Sequence, residues 1–220
     1  MSNVPVQAVI FDRDGVLTYF DTAAAATFFQ PLLPLSIEEL ARYWDLWVRS
    51  SGPPRDDAEE TKFWQGFWIQ LRNEFSLTPA VYAQLQSFDY TDLIRTYDDV
   101  RPALQSARRH DLRTGVLSNF SLASVSASLV AARIDHLIDV AAAAPVIGAA
   151  KPAAAAYLRV AGELGVVPEA CLFFDDEQPC VDGARAVGMR AYFVDRRRDE
   201  HDLAGHVVAN LEALASILQQ

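Results

Sequence analysis

Six short apolar runs recur along the chain, and each is nearly continuous instead of alternating with polar residues. Runs of this kind are typical of strands that are covered on both faces, as in a parallel sheet between two layers of helices. Polar or turn residues follow each run. The predicted strands are residues 6–11, 113–117, 137–142, 171–174, 190–194 and 206–209.

Helical patterns separate these runs from about residue 96 onward. Gly165 and Gly188 directly follow two of the patterns, where a glycine commonly ends a helix. Strand and helix therefore alternate, which predicts an α/β fold with a doubly wound, Rossmann-like parallel sheet. The predicted helices are residues 100–110, 121–132, 152–164, 179–187 and 211–218.

Residues 19–95 show a different, wholly helical pattern. Ser36 with Glu39, Asp57 with Glu60 and the pair Thr78-Pro79 have the spacing of helix starts. We therefore predict a small helical domain at 19–95, inserted into an α/β core domain formed by residues 1–18 and 96–220. All four tryptophans lie in the insertion. Their spacing favours ordinary helix packing, and contact of one or two rings with a substrate is the alternative.

Composition and charge narrow the class of protein. Hydrophobic residues make up 51% of the 220 residues, enough for a large core, and the net charge of −10 disfavours nucleic acid or an anionic membrane as a partner. No apolar stretch approaches the roughly 20 residues that span a bilayer. The chain is expected to be soluble and cytoplasmic. Cys171 and Cys180 are too few for a disulfide framework and lack the spacing of a zinc site.

Polar and charged residues follow three of the predicted strands and precede one predicted helix. In a parallel sheet the functional site lies beyond the carboxyl ends of the strands, so we expect these side chains to converge on one edge. Taken singly, each also has an ordinary explanation as a helix cap or a surface junction. The residues are Asp12, Asp14, Ser118, Asn119, Lys151, Asp175 and Asp176.

The carboxylates of such a group require a cation. Close pairs of them would repel each other by up to about 4 kcal/mol at an effective dielectric constant near 20. Because the ligands are oxygens with no histidine or cysteine cluster beside them, Mg²⁺ is the natural ion. Lys151 would add a compact positive charge, and Ser118 with the backbone amide of Asn119 would offer neutral donors to phosphoryl oxygens.

The segments DRDGVL, LSN, AKP and FFDD, in this order, resemble the four motifs of the haloacid dehalogenase (HAD) superfamily. The resemblance covers the first strand and about residues 96–195, and the insertion occupies the place of the family's type 1 cap. It implies that Asp12 is the nucleophile and also binds the metal, and that Asp14 is the general acid and base, with its backbone carbonyl on the metal. Ser118, Asn119 and Lys151 would bind the phosphate. Asp175 and Asp176 would complete the magnesium site.

The resemblance implies a Mg²⁺-dependent phosphatase that acts on a small phosphorylated metabolite through an aspartyl-phosphate, as a monomer or homodimer. Two departures from the family pattern are Cys180 in the fourth motif and the alanines that follow Lys151-Pro152. Specificity is expected from the cap, where Arg49, Arg55 and Arg72 are candidates. The triplet at 196–198 is interpreted as a solvated turn.

Three alternatives stay open. A 2-haloacid dehalogenase of the same family would need neither a metal nor a proton donor, so Asp14 and the acidic pair disfavour it. A phosphomutase would need a second proton shuttle in the cap. A binding or regulatory protein on the same fold would not need the intact acids.

Overall fold

The computed structural model describes residues 4–219, in which eight strands and ten α-helices follow one another along the chain. The strands are β1 (Ala8–Phe11), β2 (Thr18–Phe20), β3 (Ile94–Thr96), β4 (Arg113–Ser118), β5 (Val140–Ala143), β6 (Cys171–Asp175), β7 (Arg190–Val194) and β8 (Val207–Val208). The helices are α1 (Thr22–Phe29), α2 (Ile37–Ser51), α3 (Asp57–Glu74), α4 (Pro79–Gln86), α5 (Val100–Arg109), α6 (Val125–Ala131), α7 (Ala144–Ile147), α8 (Ala154–Glu163), α9 (Gln178–Ala186) and α10 (Ala213–Ile217).

Six of the strands form one parallel sheet in the order β5-β4-β1-β6-β7-β8. Strand β1 lies between β4 and β6, and Ile10 is paired with Gly115 on one side and Phe173 on the other. The predicted α/β fold with a parallel sheet is therefore confirmed. The order of the strands also places the ends of β4, β1 and β6 next to one another.

Strand β1 shows why its sequence is an unbroken apolar run. Val9 and Phe11 belong to the apolar cluster on the side of α5 and α10, whereas Ala8 and Ile10 belong to the cluster on the side of α8 and α9. All four side chains are fully buried. Because successive residues of a strand point to opposite faces, a strand covered by helices on both faces has no polar position to offer.

The helices α1 to α4 pack around an apolar cluster of their own, which includes Phe29, Phe67, Trp68 and Leu85. We call residues 21–93 the helical insertion. The packing of these rings confirms the interpretation of most of the aromatic stripe as helix core. None of the helices between residues 4 and 219 is both long and apolar enough to cross a membrane.

Two of the three predicted helix starts are confirmed. Ser36 and Glu39 form a reciprocal capping box, and Thr78 caps α4 with Pro79 in its first turn. The third start is displaced by one residue, because Asp56 and not Asp57 accepts the hydrogen bond from Glu59 N–H, at 2.8 Å. The carboxylate of Glu60, which the predicted cap would have used, instead accepts hydrogen bonds from Ser124, as described below.

The sequence pattern predicts that residues 19–95 are wholly helical, but the structure shows that they are not. Thr18 pairs with Thr96 and Phe20 with Ile94 in a two-stranded antiparallel sheet. Both segments are rich in β-branched and aromatic residues, which favour strands where a partner is present. The pairing joins the two ends of the insertion.

Candidate active site

Three strand ends supply the centre of the site. Asp12 follows β1, Ser118 is the last residue of β4, and Asp175 is the last residue of β6. The backbone N–H of Asp12 still donates to the Phe174 carbonyl, at 2.8 Å, so the sheet holds this residue in place. The convergence follows from the adjacency of β4, β1 and β6.

Lys151 lies buried between two of these residues. Its Nζ is 2.6 Å from Asp12 Oδ1 and 2.7 Å from Asp175 Oδ2. Burial by itself favours the neutral amine, but the charges and hydrogen bonds of the two carboxylates outweigh it and raise the pKa of Lys151. The lysine is therefore charged, and it fixes the orientation of the Asp12 side chain.

Asp12, Asp175 and Asp176 each offer an oxygen within 4.8 Å of the others. Burial raises the pKa of Asp175 to about 7, against the lowering influence of Lys151. Burial and the charge of Asp12 raise the pKa of Asp176 to about 6, and burial, opposed by Lys151, also raises the pKa of Asp12. The group carries more negative charge than the single lysine offsets.

The donor set fits a hard divalent cation. Three carboxylates and one lysine leave a net charge that one such ion would neutralise, and all the available ligands are oxygens. A second group among the described residues, Asp175 with Glu177 and Cys180, fits less well. Burial raises the pKa of Cys180 to about 12, and the thiol donates to Glu177 Oε2 at 3.3 Å, so it stays protonated.

Gly15 makes room for one of the carboxylates. A Cβ at this position would lie 2.0 Å from Asp176 Oδ2, and the backbone φ of +75° is one that residues with a side chain rarely adopt. Only glycine therefore lets the loop after β1 pass this close to Asp176. The glycine of the DRDG segment serves both the turn and the position of the acidic pair.

Asp14 is held by a neighbour that sequence reasoning overlooked. Its two oxygens accept from Arg13 Nε at 3.1 Å and Nη2 at 2.6 Å. The Arg13 side chain is only 1% exposed, whereas that of Asp14 is 46% exposed. Arg13 also donates to Ser128 Oγ at 3.2 Å and lies 3.8 Å from the centroid of the Phe120 ring. An arginine after a buried run gives no sign in the sequence of such distant partners.

Ser118 and Asn119 occupy different roles in the structure. The Ser118 Oγ accepts from the Phe120 N–H at 3.1 Å, which leaves its own hydroxyl proton free to donate. The Asn119 side chain donates to the Lys151 carbonyl at 2.9 Å and accepts from the Lys151 N–H at 2.8 Å. The amide group of Asn119 therefore positions Lys151, and a phosphate contact from this residue would come from its backbone.

The helical insertion touches the core at the loop between β4 and α6. Glu60 of α3, which is buried, accepts from Ser124 N–H at 2.9 Å and from Ser124 Oγ at 2.5 Å. Tyr90 donates to the Ser124 carbonyl at 2.9 Å. Ser124 directly precedes α6, which begins at Val125 and not at 121 as predicted.

The prediction of a solvated turn at residues 196–198 is wrong for Arg196. Its Nε donates to the Gly15 carbonyl at 2.9 Å, its Nη2 donates to the Val16 carbonyl, and its Nη1 lies 3.1 Å from Asp99 Oδ1. Arg197, by contrast, is exposed, as predicted. Arg196 thus braces the loop that carries Asp14 and Gly15.

Two of the three arginines predicted as candidates for specificity have partners on the helical insertion. Arg55 pairs with Glu59 at 2.9 Å, and Arg72 lies 4.8 Å from the centroid of the Tyr82 ring. Arg49 lies exposed in the last turn of α2.

Comparison with known proteins agrees with this arrangement. The model of the haloacid dehalogenase-like hydrolase family matches residues 6–188. A protein named phosphatase MT3486, from Mycobacterium tuberculosis (strain CDC 1551 / Oshkosh), is 42% identical over 215 residues, 97% of each chain. A protein named (S)-2-haloacid dehalogenase 2, from Pseudomonas sp. (strain CBS-3), is 31% identical over 57% of this chain and 56% of its own length. The crystal structure of a HAD phosphatase from Thermococcus onnurineus has a TM-score of 0.67 and 23% identity, over 97% of this chain and 98% of that one. The chain therefore belongs to the haloacid dehalogenase-like hydrolase family and is an enzyme of it, as the motifs at its strand ends predicted.

Proposed function

We propose that the protein is a Mg²⁺-dependent phosphatase that hydrolyses small phosphate monoesters through an aspartyl-phosphate on Asp12. The observation that carries the proposal is the group of three carboxylates around one buried lysine, with a further acid, Asp14, two residues from the first. The relative named phosphatase, which matches 97% of this chain, supports it.

The metal would be held by Asp12, Asp176 and the backbone carbonyl of Asp14, with Asp175 in or near the ligand shell. When bound, Mg²⁺ would neutralise the carboxylates and polarise a phosphoryl oxygen. Asp175 is already engaged, because its two oxygens accept from Lys151 Nζ at 2.7 Å and from the Glu177 N–H at 2.8 Å. Asp176 is the more exposed of the pair and the freer to bind an ion.

The chain's own residues account for both steps of the reaction. An oxygen of Asp12 attacks phosphorus, the bond from phosphorus to the ester oxygen breaks, and Asp14 gives its proton to the departing alkoxide. Asp14 then takes a proton from a water molecule that attacks the phosphorus of the aspartyl-phosphate. The bond between Asp12 and phosphorus breaks, which releases phosphate and restores both aspartates.

Arg13 orients Asp14 and leaves part of its carboxyl group open. A carboxylate offers about four acceptor positions, of which Arg13 occupies two and the Thr18 hydroxyl, at 3.4 Å, a third. The remaining position, on the exposed side of Asp14, is therefore open toward the leaving group. Arg13 fixes the direction in which that side points.

A 2-haloacid dehalogenase is the second candidate, because one relative at 31% identity has that name. Attack by Asp12 on carbon with loss of a halide would need no proton donor, since a halide is a weakly basic leaving group. The retention of Asp14 and of the acidic pair favours the phosphatase.

We also propose the cytoplasm as the location, since both cysteines are free.

The decisive experiment compares Asp12→Asn and Asp14→Asn on an alkyl phosphate and on p-nitrophenyl phosphate, with and without Mg²⁺. Asp12→Asn should abolish turnover of both esters. Asp14→Asn should lower turnover of the alkyl phosphate by a factor of about 10² to 10⁴. With the activated ester it should slow the first step, formation of the aspartyl-phosphate, less, because nitrophenolate needs little protonation.

Exposed Asp45 on α2 gives the matched control, and Asp45→Asn should behave as the wild type. Release of chloride from 2-chloropropionate by the wild type without metal would favour the dehalogenase. Full phosphatase activity in Asp14→Asn would refute the assigned acid.

A further inference from the structure

A cavity of about 200 Å³ lies between the helical insertion and the loop after β4. Its walls are aromatic and aliphatic, and no charged residue among residues 4–219 lines it. The hydroxyl of Tyr90, one of the few polar groups on its walls, already donates to the Ser124 carbonyl. The rings that form much of the wall are Phe29, Trp44, Trp64, Trp68, Phe88 and Phe120.

The cavity adjoins the catalytic residues through Phe120. Phe120 comes two residues after Ser118, a length of chain that spans at most about 7 Å, and the Phe120 N–H donates to Ser118 Oγ. The Phe120 ring lies 3.8 Å from the guanidinium of Arg13, which in turn holds Asp14 at 2.6 Å. One side chain therefore belongs both to the cavity wall and to the surroundings of the proton donor.

The chemistry of the walls limits what the cavity can hold. A charged or hydroxyl-rich group would lose its hydration there without gaining hydrogen bonds, whereas apolar groups gain by burial. A cation would need open ring faces. The tryptophan faces are partly covered by one another instead, since Trp64 and Trp68 are stacked with centroids 5.3 Å apart and the centroid of the tilted Trp44 ring lies 4.7 Å from that of Trp64.

We propose that this cavity receives the leaving group of the substrate, and that the substrates are monophosphates of uncharged, apolar alcohols or phenols and not sugar phosphates. The inference rests on the proposed phosphatase activity and adds the substrate class to it. The phosphoryl group would lie at Asp12 and Lys151, with the ester oxygen toward Asp14 and the apolar group beyond Phe120.

A series of straight-chain primary alkyl phosphates from ethyl to octyl tests the proposal. The leaving oxygen has nearly the same basicity throughout, so differences in kcat/KM report on binding of the chain. We expect kcat/KM to rise by about fourfold for each methylene until the cavity is filled. Glycerol 3-phosphate, which is polar, should be a poorer substrate than propyl phosphate.

A substitution that fills the cavity supplies the control within the protein. Ala41 lines the cavity yet is exposed, so Ala41→Trp should fill it without disturbing the core. It should lower kcat/KM for octyl phosphate by at least about tenfold and change that for ethyl phosphate little. Ala58→Trp, at an exposed position of α3 away from the cavity lining, should alter neither.

Binding without turnover gives an independent measurement. Three tryptophans line the cavity, so octyl phosphate added to the Asp12→Asn variant should change their fluorescence. A flat alkyl series, a preference for glycerol 3-phosphate or choline phosphate, or an equal effect of Ala41→Trp on both chain lengths would overturn the inference alone. Absence of turnover with every ester in the presence of Mg²⁺ would overturn the proposed phosphatase as well.

Discussion

Gly15→Ala is the substitution whose effect the structure defines most closely. The new Cβ would lie 2.0 Å from Asp176 Oδ2, whereas an ordinary contact is about 3.5 Å. The carboxylate of Asp176 must therefore retreat by about 1.5 Å. Because it is exposed, it can do so by turning toward solvent, at little cost to the fold.

In the proposed magnesium site, the displaced carboxylate should no longer bind the metal. Mg²⁺ holds its ligands at about 2.0–2.1 Å in a nearly regular octahedron, so a ligand that has moved by 1.5 Å or so is lost. Changes to residues that only support a ligand typically weaken metal binding about 10- to 100-fold. We therefore expect the Mg²⁺ concentration for half-maximal activity to rise by at least about tenfold in Gly15→Ala.

Gly165→Ala separates this effect from backbone strain. Gly165 has a φ of +70°, close to the +75° of Gly15, but a Cβ there would meet no atom of the described residues within 4 Å. Each variant should lose about 1–2 kcal/mol from placing alanine at positive φ, which lowers Tm by roughly 2–8 °C in a chain of this size. Thermal melts and Mg²⁺ titrations of both variants make the comparison. If Gly15→Ala bound Mg²⁺ as tightly as Gly165→Ala does, the argument from the Asp176 contact would be wrong.

Three further predictions concern charges at the site and at the insertion. Lys151→Met should lower kcat/KM by about 100-fold or more. It should also destabilise the metal-free protein at pH 8 by about 3–5 kcal/mol, because it leaves Asp175 buried without its cation. An unchanged denaturation midpoint would contradict this. Glu60→Gln should cost about 1–3 kcal/mol of stability, since one of the two hydrogen bonds from Ser124 loses its acceptor, and urea denaturation measures it; stability equal to the wild type would refute the contact. Between about pH 4 and 7 the metal-free protein should become less stable as the pH rises. The folded state raises the pKa of Asp175 to about 7 and that of Asp176 to about 6, whereas these groups have a pKa near 3.8 in the unfolded chain. In this range the folded state therefore binds protons that the unfolded state has released. The increase in Tm on adding Mg²⁺ should therefore be larger at pH 8 than at pH 5, and an equal increase at both would count against these carboxylates as ligands.

The sequence by itself determined the parts of the protein that depend on neighbours along the chain. Unbroken apolar runs predicted the strands, because a strand covered on both faces needs apolar residues at every position. The carboxylates of Asp12 and Asp175 were predicted to meet because parallel strands end at one edge of a sheet. The caps at Ser36 and Thr78 were predicted because their hydrogen bonds close within three residues.

Tertiary structure alone decided the contacts between distant segments. Ser128 lies 115 residues from Arg13, and Glu60 lies 64 residues from Ser124. Arg196 reaches the Gly15 carbonyl across 181 residues. A charged side chain in the sequence does not indicate whether it will meet solvent or a buried partner, because that depends on which surfaces the fold brings together. The apolar cavity beside Phe120 arises in the same way, since its walls come from the insertion and the core, and only their packing leaves the space between them.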